Sequence, residues 1–283
     1  VSGQPLWLRV VRFPLVRLVV LGAIIFVMMG INNGFLDMFR ATPLIAIGVT
    51  ICMALAAMGI YWVWGRFVEG REVTELSRPG MVGEWATGAA IGAALYTGCV
   101  LILMALGMYR IEGLNPVSYL IPALAMAISS GTFEELVFRG VLFKSVEDLA
   151  GSWISLVLSS LVFGLMHLSN PEATLVGAIY ISIEAGLLLA AAYLLTRRLW
   201  LAMGFHMAWN YTQSAVFSGV VSGGEAEPGL IRPIIDGPDL LTGGSFGLES
   251  SVFALILCTT TGIVLIVMAH RRGHILPPPW RRT

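Results

Sequence analysis

A polytopic bundle of membrane-spanning α-helices is the fold class this sequence predicts, and three observations predict it. Of its 283 residues, 57% are hydrophobic and only 12% are charged, against about 25% charged residues in ordinary soluble domains. Mean hydropathy is +0.84. The apolar residues also come in continuous runs, not in the alternation that a membrane β-barrel requires.

Crossing the ~30 Å hydrocarbon core takes about twenty mostly apolar residues. Eight runs qualify, near 14–32, 43–64, 85–108, 117–138, 153–169, 174–195, 199–217 and 251–269. Arg9, Arg12 and Arg17 lead into the first. No small-residue cleavage site ends that run, so it reads as a retained span and not a signal peptide. With a cytoplasmic N-terminus, 14 of the 17 basic residues fall in cytoplasmic segments, leaving Arg40, Arg110 and Arg232 outside. That asymmetry predicts an even number of spans and both termini in the cytoplasm.

Net charge is zero, and no basic tract or motif points to nucleic acid. Cys52, Cys99 and Cys258 each lie within an apolar run, which predicts small buried hydrophobes and no disulfide framework. Segment 65–84 interleaves both signs of charge and predicts a solvated loop or short interfacial helix. Gly88-Ala89-Ala90-Ile91-Gly92 in the third run predicts close helix approach. Segment 139–152, with Arg139, Lys144, Glu147 and Asp148, predicts a separate amphipathic helix at the cytoplasmic interface. Segment 218–250 is Gly-rich and acidic and predicts a flexible external loop. The tail from 270 onward holds His270, His274 and Pro277-Pro278-Pro279, and predicts solvated chain that leaves the helix. The whole reads as a single transmembrane domain with no transporter-like internal repeat.

The strongly polar residues inside the runs are Glu134, Glu135, Arg139, His167, Glu184, His206 and Asn210. A charge in hydrocarbon costs about 2.5–3.5 kcal/mol on insertion scales, which makes each a functional-site hypothesis. Glu135 and Arg139 share a helical face and can neutralise each other. Glu134 is turned about 100° away and lacks that partner, as a general base would. His206 and Asn210 also share a face and offer N–H donors to one point, the equipment of an oxyanion hole. A packing ion network and an interhelical hydrogen-bonded pair account for the same spacings. His167 closes the fifth run, where an interfacial histidine is the plain reading. Glu184 either lines the same cavity or bonds to a neighbouring helix. What favours chemistry is convergence: base, proton partner and electrophilic stabilisers on three spans.

These residues resemble the motifs of the CAAX protease and bacteriocin-processing family of intramembrane proteases, which includes the Rce1-type prenyl-protein endopeptidases. The paired glutamates, three residues and arginine are matched by Glu134-Glu135-Leu136-Val137-Phe138-Arg139, with Gly140 trailing. The aromatic residue shortly before a histidine is matched by Phe163 and His167, and the His/Asn motif by His206 and Asn210, approached by Leu199-Trp200. The likeness covers roughly residues 117–215.

It implies an all-α bundle with a cytoplasm-facing cavity. It further implies an endopeptidase of the membrane, in a bacterial or archaeal plasma membrane, whose partners are lipid and a peptide or lipidated protein. Glu134 and His167 would activate water, His206 and Asn210 would bind the oxyanion, and Glu135, Arg139 and Phe163 would support them. The family is labelled metalloprotease, but the lack of an HExxH motif and the shared face of His206 and Asn210 favour a glutamate-activated water with no cofactor. The alternative is zinc on Glu134, His167 and His206, with three ligands and one open position. A non-enzymatic immunity or scaffold protein and an ion-coupled transporter are further alternatives.

Overall fold

The computed structural model describes residues 5–281. Seven helices among them are long and apolar enough to cross a membrane: α1 (Pro14–Met38), α2 (Pro43–Val68), α3 (Met81–Ala105), α4 (Val117–Ala150), α5 (Ser152–Ser169), α6 (Leu175–Thr196) and α8 (Val252–Arg271). The remaining run forms α7, Trp200–Tyr211 continued by a π turn at Thr212–Val216. The chain is a helical integral membrane protein. Large apolar side chains such as Val27, Leu55, Leu101 and Ile263 lie exposed on the outer helices, which suits a surface solvated by lipid.

Burial sorts the helices. In α6, 61% of the apolar window is buried, against 17% in α1, so α6 is central and α1 peripheral. α7 is central too, with Leu201, Ala202, Met203, Phe205 and Trp209 buried. The predicted small-residue contact is where α3 meets α7: a Cβ on Gly88 would sit 2.1 Å from the Leu201 carbonyl oxygen, and one on Gly92 2.4 Å from that of Phe205. Only hydrogen fits there, and without a hydrophobic drive between helices such backbone approach holds the pair together.

α4 departs most from expectation. The separate interfacial helix predicted for 139–152 is instead its continuation, and α4 runs 34 residues, about 50 Å at 1.5 Å per residue. The charges do not end it because each finds a partner. Arg17 Nε donates to Ser145 Oγ at 3.0 Å, and the Arg17 guanidinium also meets Asp148. Arg197 bonds both Glu147 oxygens at 2.5–2.7 Å. α4 ends at Gly151, whose φ of +82° suits a residue without Cβ. Arg139, counted with the cytoplasmic segments by sequence, is instead 1% exposed inside the bundle.

One end of the bundle gathers the first described residues, loop 69–80, the end of α4, residues 196–200 and the tail. Segment 65–84 is not simply solvated there, since Glu75 is buried between Arg71 at 2.9 Å and Lys144 at 2.8 Å. The tail packs as well: Ser152 N donates to the Leu276 carbonyl at 3.0 Å, and His274 Nδ1 lies 3.0 Å from that of Leu195. Arg282 is outside the described residues.

The far end holds a hairpin that the sequence reading missed, β1 (Tyr109–Leu114) antiparallel to β2 (Ile231–Ile235) with a bulge between Ile111 and Gly113. Segment 218–250 is therefore folded and not a flexible loop: besides β2 it buries Phe246, Leu248 and Glu249. Its backbone is tied to α5 where Glu172 N donates to the Gly223 carbonyl at 2.8 Å. Cys99 and Cys258 are buried as expected, whereas Cys52 is exposed, because it faces outward from α2.

Gly92→Ala is expected to destabilise the protein by about 1–3 kcal/mol, as overpacking does, while Gly48→Ala, with nothing within 4 Å, leaves the melting temperature unchanged in detergent. A second expectation concerns pH. Burial alone would raise the Glu75 carboxyl, but Lys144 and Arg71 outweigh it and hold it below the usual carboxylate range. Its stabilisation is thus complete above the unfolded value of about 4.3 and is lost as pH falls through the lower folded value. The melting-temperature gap between wild type and Glu75→Gln should narrow as pH drops below about 4.3. A gap constant with pH would contradict the arrangement.

Candidate active site

α4 carries the paired glutamates near its midpoint, where two π segments meet: Glu134 ends the first, Ser130–Glu134, and Glu135 separates it from the second, Leu136–Phe143. Such turns interrupt the regular helical ladder and often mark functional sites. Here α4 also meets α7 closely, since a Cβ on Gly131 would lie 2.8 Å from Met207 Cβ.

Glu135 is fully buried and Arg139 1% exposed. Arg139 Nη1 donates to Glu135 Oε1 at 2.9 Å, and Nη2 to the carbonyls of Ala185 and Gly186 at 3.3 and 3.1 Å. Those carbonyls lie at the π turn Ser182–Gly186 of α6. The guanidinium carbon stands 4.7 Å from the centre of the Phe163 ring, a favourable cation–π position. The same Glu135 Oε1 lies 2.8 Å from His206 Nδ1. A carboxylate only accepts, so Nδ1 carries hydrogen and Nε2 is the free ring atom. That atom is 3.9 Å from Glu134 Oε2.

Glu134 itself is 21% exposed at its side chain, and its buried Oε2 has no hydrogen-bond partner among the described residues. His167 Nδ1 donates to the Phe163 carbonyl at 2.8 Å, leaving Nε2 as an acceptor. Asn210 Nδ2 donates to Ser130 Oγ at 2.9 Å, which leaves a second amide hydrogen. Glu134, His167, His206, Asn210 and Ser130 all line one cavity of about 620 Å³, within the usual range for a ligand site.

A fourth span ending at residue 138 would leave Glu134 near one interface and His167, at the end of the fifth run, toward the other. The long α4 instead puts Glu134 at mid-helix, and α5 runs past it to bring His167 to the same cavity. The cavity mouth is formed by Asp37, Arg40, Asn170, Glu225 and Glu227, all at the end opposite the chain termini. Cytoplasmic termini and a cytoplasm-facing cavity, both expected from the sequence, therefore exclude each other in this fold.

Residues 116–212 match the family model described as type II CAAX prenyl endopeptidase, Rce1-like. This segment is similar to the Rce1-like endopeptidases. No curated protein and no solved structure matches the chain.

All three motifs fall within the matched segment, and the fold brings them to one cavity. Glu184 is also in the matched segment but points elsewhere. It is buried with Oε2 unpartnered, beside a cavity of about 20 Å³ that lies behind His206 and Asn210 and is also bordered by Glu249. That volume suffices for a single water.

Glu249 was read from sequence only as loop acidity. Its carboxylate accepts from Trp209 Nε1 at 3.0 Å, Ser222 N at 2.6 Å and Ser222 Oγ at 2.8 Å. It thereby fastens the far-end segment to the helix that carries Asn210. Ser130 was missed too, although it sits one turn before Glu134 on the same face, a detectable signal.

A zinc site takes three protein ligands and an open position. His206 Nε2, with Nδ1 held by Glu135, stands 3.9 Å from Glu134 Oε2, which supplies at most two. Among the described residues no group of three or more His, Cys, Asp or Glu is placed to hold a metal.

Removing Arg139 strands a buried carboxylate. Arg139→Leu is expected to cost about 3–5 kcal/mol, read as a fall in melting temperature. Glu135→Gln combined with Arg139→Leu should recover part of that loss, because no uncompensated charge then remains.

Proposed function

We propose that the protein is an intramembrane endopeptidase of the CAAX-protease type, hydrolysing a peptide bond in a membrane-associated polypeptide with a water activated by Glu134. The observation that carries this reading is the Glu134 carboxylate, part-exposed on a cavity of about 620 Å³ that it lines together with His167 and with a His206 already engaged by Glu135. A carboxylate bordering a space large enough for a peptide segment suits a water molecule about to lose a proton.

In this reading water sits between Glu134 and His167 Nε2, both acceptors. Its hydrogens point at them, which turns an oxygen lone pair toward the substrate carbonyl. Glu134 takes the proton as the C–O bond forms and later passes it to the leaving amine. The carbonyl oxygen, gaining negative charge, takes a hydrogen bond from the remaining Asn210 amide hydrogen. His206 can donate from Nε2 only as the imidazolium, since its neutral form has its hydrogen on Nδ1. That cation would stand between Glu134 and Glu135, where two carboxylates balance it together with Arg139. Glu135 and Arg139 thus position His206 and touch no reacting atom. The mechanism needs no metal.

Purified protein in detergent or proteoliposomes, offered lipidated and unlipidated membrane peptides, should cleave at least one. Glu134→Gln should lose cleavage with an unchanged melting temperature, and full activity in that variant would sink the proposal. Asn210→Ala should lower kcat roughly 100- to 1000-fold, as removal of one oxyanion donor does. Chelator treatment is expected to leave the rate unchanged, and loss of activity restored only by zinc would overturn the metal-free mechanism.

A further inference from the structure

The two ends of the bundle differ in charge and in access to the cavity. At the end with the termini lie Arg9, Arg12, Arg17, Arg66, Arg71, Arg78 and most of the other basic residues, whereas the far end has Arg40, Arg110 and Arg232. The far-end acids include Asp37, Glu112, Glu172, Glu225, Glu227 and Asp236. Bundles of this kind keep their arginine- and lysine-rich loops in the cytoplasm.

The cavity lining reaches the far end. Its mouth is bordered by Asp37, Arg40, Glu225 and Glu227, and Arg40 pairs with Glu227 across it. Toward the other end the way is blocked. Below Glu134 come the Glu135–Arg139 pair and then the buried rings of Phe138, Phe163, Phe143 and Tyr193. Phe138 packs on Phe163 with ring centres 4.9 Å apart, and Phe143 on Tyr193 at 5.4 Å. Tyr61 closes α2 against α4 by donating its hydroxyl to the Gly140 carbonyl at 3.0 Å.

We propose that this cavity opens on the face of the membrane away from the cytoplasm and takes an apolar polypeptide segment presented from that side. The occupant is apolar because Met29, Leu36, Phe39, Ala123 and Met126 outnumber the polar Asn33, Ser129 and Ser130 on the wall between mouth and glutamates. Entry from the far side follows from the mouth's position and the charge asymmetry, independently of any chemistry. That the segment is cut rests on the proteolytic reading above.

The two parts can be tested apart. In a variant with Cys52, Cys99 and Cys258 replaced by alanine, single cysteines are introduced as Glu225→Cys at the mouth, Asn33→Cys in the cavity wall and Arg78→Cys at the opposite end. Sealed right-side-out vesicles are treated with a membrane-impermeant maleimide. Glu225→Cys and Asn33→Cys should be labelled in sealed vesicles, and Arg78→Cys only after the vesicles are opened. The reverse pattern, or labelling of Asn33→Cys only from the Arg78 side, would overturn the proposal. An apolar peptide added outside should slow labelling of Asn33→Cys and not of Glu225→Cys, and a peptide without that effect would count against the apolar occupant. Labelling needs no turnover, so a protein labelled as expected but cleaving nothing supports the route while removing the proteolytic reading.

Discussion

One carboxylate oxygen organises this molecule. Glu135 Oε1 receives both the Arg139 guanidinium and the His206 imidazole, joining two residues of α4 to a third on α7. Inside a low-dielectric bundle a lone carboxylate is costly and a lone guanidinium equally so, but the pair is tolerated once further hydrogen bonds are made. Those further bonds come from the α6 carbonyls and the face of Phe163 on α5. Four helices thereby meet at one ion pair, and the orientation of His206 is a by-product of neutralising it. Glu134, the adjacent residue, stays out of this settlement and keeps an oxygen for the cavity.

Around that centre the bundle is built asymmetrically. The end with the termini is laced by ion pairs between segments far apart in the chain, among them Arg17 with Glu69, Lys144 with Glu75 and Arg197 with Glu147. The far end relies on a short hairpin, backbone hydrogen bonds and Glu249. A laced end and an open one let a 620 Å³ cavity reach mid-membrane without weakening the whole.

Much of this was legible in the sequence wherever the signal is local. Apolar run length gave every helix, and helical spacing paired Glu135 with Arg139 and put His206 and Asn210 on one face. The Gly88/Gly92 contact was readable because small residues have few other uses at that spacing. What stayed hidden depends on distant partners. Charges at 144–148 look like the end of a span, and only Arg17 and Arg197, arriving from elsewhere, let the helix continue. That single misreading put Glu134 near an interface and made the depth of His167 look inconsistent. Glu249 was likewise invisible, since nothing in a Gly-rich acidic segment distinguishes the one acid that is buried. The direction of the mouth required knowing which ends of several helices stand together.

The π turns flanking the glutamates carry a consequence for how sequences of this kind can vary in length. Each holds extra chain within a helix that otherwise advances about 100° per residue. Loss of a single residue between Ser130 and Phe143 would let the helix relax to regular winding and swing everything beyond it by about that angle. Arg139 would then leave Glu135, and Lys144 and Glu147 would miss partners that hold the opposite end. Substitutions along α4 are therefore judged one site at a time, whereas insertions and deletions are judged by the whole helix at once.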